Sequence, residues 1–135
     1  MSGGLIDWRA LFFSADGRCA RGPTWIAMVL LLVLSGLYES VAVSTLRYAT
    51  FWFVYPGMLA CASCVLSKRL HDRGRSGWWA ALVLLASIML WPTLHGAQAI
   101  AAAPVMLWAL VELGVMPSEQ GGNRFGPNPY QNAQV

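Results

Sequence analysis

The sequence predicts an all-α membrane protein with four transmembrane helices, and two observations support this fold class. Apolar residues make up 57% of the 135-residue chain and charged residues only 11%, whereas a soluble domain carries about 25% charged residues. The apolar residues also cluster in four runs, and about 20 such residues cross a bilayer core. We therefore expect one membrane domain that spans the bilayer four times.

The first 23 residues predict an amphipathic segment that precedes the spans. Apolar residues recur at helical spacing between Leu5 and Phe12, with Asp7 and Arg9 among them. A segment of this kind can lie along the membrane interface with its apolar side toward the acyl chains. Pro23 suits the first turn of the helix that follows.

The first two predicted spans are residues 25–46 and 49–66. The first contains one charged residue, Glu39, and the second contains none. A very short turn is expected at Arg47–Tyr48. A cleaved signal peptide is the alternative for the first run, but the lead before it is long and bears a sequence motif.

A basic stretch from Lys68 to Trp79 separates these spans from the second pair, residues 78–94 and 98–116. The last span is rich in alanine, and small residues let helices approach closely inside a membrane bundle. The tail, residues 117–135, is rich in glycine, proline and asparagine. We expect turns and extended structure there and no further helix.

The distribution of charge predicts the orientation in the membrane. With four spans, one face receives eight cationic residues and the other receives only Arg47. Cytoplasmic loops of membrane proteins carry the excess of lysine and arginine, so both termini are expected in the cytoplasm. The eight residues are Arg9, Arg18, Arg21, Lys68, Arg69, Arg73, Arg75 and Arg124.

Three motifs carry a family resemblance. The first is Gly-Arg-Cys-Ala-Arg at residues 17–21, followed by Trp25; the second is Arg-Leu-His-Asp-Arg-Gly-Arg-Ser-Gly-Trp-Trp at residues 69–79; the third is Gly-Asn-Arg-Phe-Gly-Pro-Asn-Pro at residues 122–129. In this order they resemble the bacterial inner-membrane proteins of domain-of-unknown-function family 805. The resemblance implies a multi-pass protein of the inner (cytoplasmic) membrane, and it implies no biochemical activity. Asn128 departs from that family's pattern, which has aspartate there.

All three motifs lie on the same face under this topology, which predicts a candidate site for the phosphate of a lipid headgroup or another anion. Arginine suits phosphate because its planar guanidinium donates two parallel hydrogen bonds. The alternative is a structural network in which Asp72, Asp16 and tail carbonyls hold the arginines and order the loops. Loop-ordering roles are assigned to His71, Asp72 and Asn123. The candidate anion-binding residues are Arg18, Arg21, Arg69, Arg73, Arg75 and Arg124.

Catalytic, metal and redox sites are not predicted. His71 and Asp72 supply at most two adjacent ligands, whereas a metal site needs three or four, and no nucleophile or second acid accompanies them. We expect Asp72 to pair with Arg69 or Arg75, and His71 to bond to the backbone. Cys61 and Cys64 have redox spacing but lie within a span, where reduced thiols are common.

Glu39 and Glu112 are ionisable residues in or near spans, and each is therefore a functional candidate. One interpretation pairs Glu39 with Arg47, and Glu112 with Arg18 or Arg75, at the membrane interfaces. The other is a proton or cation path that uses both carboxylates and His95.

These observations predict a non-enzymatic membrane protein without cofactor or metal. Its arginine-rich cytoplasmic face is expected to bind anionic lipid headgroups or a partner protein. The alternative is a small transporter or channel subunit, expected to be a homo-oligomer because four short helices enclose little volume. Nucleic acid is not an expected partner, because the basic residues lie between hydrophobic runs.

Overall fold

The computed structural model describes residues 6–90 and 96–129, and every extended regular element in these ranges is helical. The all-α prediction is thus confirmed. Residues 117–129, the described part of the tail, form turns and one isolated bridge, between Asn123 and Gly126. The helices are α1 (Trp8–Phe13), α2 (Arg21–Val41), α3 (Ser44–Asp72), α4 (Trp79–Leu90) and α5 (Ala97–Ala109), which continues as a π-helical turn, Leu110–Val115.

Three helices are long and apolar enough to cross a membrane. They are α2, α3, and α5 together with its π-helical turn, with mean hydropathies of 1.7, 1.6 and 1.6. The described part of α4 is apolar but only 12 residues long. The last residues of the predicted third span, 91–94, lie outside the described residues. The chain is therefore a membrane protein with several candidate spans.

The turn between the first two spans differs from the prediction. Helix α2 ends at Val41, and α3 begins at Ser44, so Arg47 lies inside α3 and not in a turn. The sequence does not reveal where this turn lies, because no glycine or proline marks it. The structure closes it with polar contacts: the Ala42 amide donates to the Tyr38 carbonyl at 3.0 Å, and the Tyr38 hydroxyl lies 2.8 Å from Thr50 Oγ1.

Helix α3 is longer than a bilayer requires. It has 29 residues and continues through Pro56, which gives a length of about 44 Å at 1.5 Å per residue. The hydrocarbon core is about 30 Å thick. The excess length carries the polar last turns of α3, through Asp72, beyond the apolar part of the helix.

The core of the protein lies around those last turns. Helix α1 packs against α3, and α3 also contacts α2, α4 and the π-helical turn. Elsewhere the spans expose large apolar side chains such as Phe53, 80% exposed. Tight packing is thus concentrated around the last turns of α3. The first buried cluster contains Leu66, Leu70, Ala80, Val83, Ala109 and Leu113. The second contains Leu11, Cys19, Ala27 and Val65.

Candidate functional site

The three sequence motifs meet at one end of the helix bundle, which we call the polar end. Arg18 comes from the segment before α2, Asp72 from the last turn of α3, and Gly126 from the tail. The Arg18 guanidinium contacts both of the others, through Nε to Asp72 Oδ1 at 3.0 Å and through Nη1 to the Gly126 carbonyl at 3.3 Å. Segments about a hundred residues apart in sequence are therefore joined at one side chain.

Asp72 is the centre of the polar end. Its side chain is fully buried and lies between the guanidinium groups of Arg18 and Arg69, whose side chains are 1% and 0% exposed. Arg69 Nη1 donates to Asp72 Oδ2. A buried carboxylate is costly unless it is paired and hydrogen-bonded, and here both of its oxygens accept from arginine. One carboxylate therefore organises two buried cations.

The remaining donors of Arg18 bind the tail. Nη1 donates to the Gly121 carbonyl at 2.8 Å, and Nη2 donates to the Glu119 carbonyl at 2.8 Å. In return, the Glu119 amide donates to the Asp72 carbonyl at 3.2 Å. The described part of the tail has little regular structure of its own, so these contacts with Arg18 and Asp72 help to fix where it lies.

Arg69 binds the end of the last span in a similar way. Its Nε donates to the Leu113 carbonyl at 2.8 Å, its Nη2 to the Met116 carbonyl at 2.6 Å, and its Nη1 to Ser118 Oγ at 3.3 Å. The last carbonyls of a helix have no partners within the helix. Arg69 supplies partners from a neighbouring helix and thereby caps the π-helical turn.

Trp25 caps the same turn from α2. Its indole Nε1 donates to the Gly114 carbonyl at 3.1 Å. A Cβ added at Gly114 would lie 2.8 Å from the Trp25 ring, so only glycine allows this close approach. The glycine and the tryptophan are therefore a matched pair between the first and last spans.

Glu112 lies on the π-helical turn and has two arginine neighbours. Arg75 Nε donates to Glu112 Oε1 at 3.1 Å, and Arg73 Nε lies 3.4 Å from the same oxygen. Arg73 also donates to the Pro117 carbonyl at 2.7 Å, and the Arg75 guanidinium lies 5.6 Å from the centre of the Trp108 ring. Of the two partners expected for Glu112, the structure selects Arg75 and adds Arg73.

His71 and Asn123 hold the tail against α3. His71 Nδ1 lies 3.2 Å from the Gly17 carbonyl, and its ring stacks on Phe125 with centroids 3.9 Å apart and planes 7° apart. The side-chain amide of Asn123 donates through Nδ2 to the His71 carbonyl at 2.9 Å. Its Oδ1 accepts from the backbone amide of Phe125 at 2.9 Å. These are contacts between α3, the N-terminal segment and the tail. Phe125 belongs to the third sequence motif, but no role was predicted for it from the sequence, and Glu119 lies outside the motifs.

Lys68 and Cys19 connect the N-terminal segment to α3. Lys68 is buried, and its Nζ donates to the Ala10 carbonyl, while the Cys19 amide donates to the Lys68 carbonyl at 3.3 Å. Burial raises the pKa of the Cys19 thiol, because the thiolate loses its hydration. Lys68 therefore has a structural contact in addition to the orienting charge that the sequence predicted.

The six candidate anion-binding arginines fall into two groups. Arg18 and Arg69 are enclosed by protein carbonyls and Asp72, which leaves no room for an external phosphate. Arg21, Arg75 and Arg124 are exposed, and Arg73 is 20% exposed. Arg21 makes one long contact, at 3.5 Å, to the Val115 carbonyl, and Arg124 lies over the Phe125 ring. We call Arg21, Arg75 and Arg124 the rim cations.

A second ionic cluster lies at the other end of α2. Arg47 donates to Glu39 Oε2 at 3.1 Å, and the Tyr55 hydroxyl donates to Glu39 Oε1. The side chains of Arg47 and Glu39 are 37% and 30% exposed. This is the pairing expected for Glu39 from the sequence, and Tyr55 is an addition to it.

Cys61 and Cys64 are free thiols in the structure. Within residues 6–90 and 96–129, no three side chains of histidine, cysteine, aspartate or glutamate come together as metal ligands.

Comparisons with known proteins agree with the motifs. The model of the family described as "Protein of unknown function (DUF805)" matches residues 12–127. The chain is 31% identical over 129 residues to the uncharacterized protein YiiR of Escherichia coli K12, a match that covers 84% of each chain. The YiiR protein of Escherichia coli O157:H7 matches equally well. No solved structure matches the chain.

Proposed function

The chain belongs to the DUF805 family of proteins of unknown function, and we propose that it is a non-enzymatic, multi-pass protein of the bacterial inner membrane that binds anionic lipid headgroups. Four spans cross the bilayer, α4 being the third, and α1 lies in the cytoplasmic interface. Both termini are cytoplasmic. The observation that carries the proposal is that the three rim cations are exposed, while the buried arginines of the polar end already have protein partners.

The orientation is supported by the position of the polar end. Arg18 and Arg69 are joined there through Asp72, and Arg73 and Arg75 are joined through Glu112. The opposite end of α2 has the single cation Arg47. An excess of arginine and lysine marks the cytoplasmic side. A reporter fused after Val135 is expected to be active in the cytoplasm, and periplasmic activity would contradict this orientation.

Lipid binding is supported by the difference between enclosed and exposed arginines. The enclosed arginines hold the backbone segments that carry the rim cations, so little backbone entropy is lost when a headgroup binds. Anionic lipids attract each nearby cationic residue by about 1 kcal/mol. A binding partner that uses the same exposed cations, such as an acidic membrane protein, would compete with lipid.

The proposal is tested by lipid retention in native mass spectrometry of the purified protein. The double variant Arg21→Gln/Arg124→Gln is expected to retain less phosphatidylglycerol and cardiolipin, by about fivefold per residue if each contributes about 1 kcal/mol. Arg47→Gln is the matched control, because it removes one cation from the other end. Equal losses in both variants, or no loss in the double variant, would refute binding at the rim.

The transporter alternative has less support. It needs Glu39 or Glu112 on a polar path through the bilayer, and the ion pairs of both carboxylates with arginine favour the interpretation as interfacial pairs. Proton or cation flux in liposomes that is abolished by Glu39→Gln would restore this alternative. A homo-oligomer would be visible in the same native mass spectra.

A further inference from the structure

A polar groove lies between α3 and α4, outside the arginine network. Its volume is about 440 Å³, and it is open to the outside of the protein. The α3 wall presents Ser63, Ser67 and His71, which are four residues apart and therefore share one helix face. The α4 wall consists of small and apolar residues such as Ala81 and Leu84. The groove is thus polar on one side and apolar on the other.

Ser67 is the exceptional residue of this groove. It is only 8% exposed, and within the described part of the chain its hydroxyl has no hydrogen-bond partner. The other groove serine on α3, Ser63, donates to the Ala60 carbonyl at 2.7 Å. Its oxygen is not one of the fully buried, unpartnered side-chain atoms of the described residues, so the hydroxyl is accessible from the groove that Ser67 lines. A hydroxyl that no protein group engages and that opens onto a groove is available to hydrogen-bond with a ligand there.

His71 offers a second hydrogen-bonding atom to the same ligand. Its Nδ1 lies against the Gly17 carbonyl, and a carbonyl can only accept, so Nδ1 carries a hydrogen. In the neutral ring, Nε2 is then an acceptor. Nε2 lies on the groove side, where a Cβ added at Gly77 would be 3.1 Å from it. Ser67 and His71 together present a donor and acceptors within one groove.

The charges near the groove do not favour an anion over a neutral ligand. Asp16 and Arg124 both act electrostatically on His71 with opposite signs. The hydroxyl and imidazole groups, in contrast, match a ligand that carries hydroxyl groups of its own. The apolar wall of Ala81 and Leu84 suits an acyl chain, and Trp78, 85% exposed, lies at the polar mouth, a position typical of the membrane interface.

We propose that this groove binds a lipid whose headgroup ends in hydroxyl groups, with the headgroup on Ser67 and His71 and an acyl chain along α4. Phosphatidylglycerol has this chemistry. The inference rests on the membrane placement in the proposed function, but it assigns a different site. Selection there depends on headgroup hydroxyls, whereas the rim cations select charge.

The test compares two lipids of equal charge in native mass spectrometry of the full chain. Phosphatidylglycerol has two headgroup hydroxyls, and phosphatidylethanol has none. The unmodified protein is expected to retain phosphatidylglycerol about two- to tenfold better, as one or two net hydrogen bonds would provide. Equal retention of the two lipids would overturn the proposal without any variant.

Two variants locate the effect. Ser67→Ala removes an unsatisfied hydroxyl, so it should fold normally while the retention ratio falls toward one. Ala81→Leu should lower binding of both lipids in the groove by filling it. Ser87→Ala is the control, since that hydroxyl donates to the Val83 carbonyl at 2.8 Å and does not line the groove.

The outcomes distinguish this site from the rim. Loss of the rim cations should lower the retention of both lipids and leave their ratio unchanged. If Ser67→Ala leaves the ratio unchanged, or changes the proportion of dimer instead, the groove does not bind a lipid headgroup.

Discussion

The two ends of α2 carry the same chemistry, an arginine paired with a carboxylate, in two different environments. At the polar end, Asp72 and its two arginines are at most 1% exposed. At the other end, Glu39 and Arg47 are about one-third exposed. The difference lies in the chain segments that are joined. Asp72, on α3, binds Arg18 of the N-terminal segment and, through Arg18, the tail, whereas Glu39 connects α2 to α3.

This difference shows what a buried ion network contributes. Desolvation of two charges often cancels the gain from their attraction, so a buried pair is not by itself stabilising. Once built, however, the network makes every alternative arrangement costly, because any opening leaves a cation or a carboxylate unpaired. The arginines therefore determine how the chain segments are arranged at the polar end. At the opposite end, the ion pair has little influence on the arrangement of the helices.

The largest expected effect is that of Asp72→Asn. The neutral amide leaves Arg18 and Arg69 buried without a counter-charge, and removing one partner of a buried network costs about 3–5 kcal/mol. The free energy of unfolding in detergent micelles should fall by that amount, measured by denaturant titration. A loss below about 1 kcal/mol would mean that the carbonyl contacts alone hold the arginines.

Glu39→Gln provides the matched comparison at the other end. The pair is partly exposed, and such pairs contribute about 0–1 kcal/mol, while glutamine can still accept from Tyr55. The same titration should show a loss of less than about 1 kcal/mol. A loss equal to that of Asp72→Asn would abolish the distinction between the two ends.

The smallest expected effect concerns Cys19 and pH. Because burial raises the thiol pKa above its ordinary value of 9.0, the folded state holds the proton more tightly than the unfolded state does. The stabilisation is fully present below pH 9.0 and is lost as pH rises toward the folded-state pKa. The unfolding free energy of the unmodified protein should therefore fall more steeply at alkaline pH than that of Cys19→Ala. Parallel curves for the two proteins would show that the thiol is not desolvated.

Hydropathy and motifs predicted the helical class, the approximate spans and the meeting of the three motifs. They misplaced the turn after the first span, because Ala42 and Val43 are as apolar as the helices they separate. They placed the end of the second span at residue 66, and the helix itself continues beyond that residue, through Asp72. Lysine, arginine and leucine are good helix formers, so the helix continues where the hydropathy signal stops.

The candidate site was predictable only in its side-chain pairs. The pairing of Glu39 with Arg47 follows from opposite charges at compatible depths in the membrane. The same reasoning left Asp72 open between Arg69 and Arg75, and Glu112 open between Arg18 and Arg75. The carbonyl acceptors of Arg18 and Arg69 do not follow, because every residue has a carbonyl and its direction depends on the local backbone. The sequence does not show which carbonyls of the π-helical turn lack a partner within the helix, because that depends on the folded backbone.

The contact between Arg18 and the Gly121 carbonyl spans 103 positions of sequence. During translation, Arg18 is synthesised long before Gly121, and all the apolar helices are synthesised in the interval. The contacts between Arg18 and the tail at the polar end therefore cannot form until the spans have been made and the tail has emerged. Until that moment, Arg18 has Asp72 but not the tail carbonyls as a partner, while Asp72 already pairs with Arg69, and the nascent protein remains open on the side facing the ribosome.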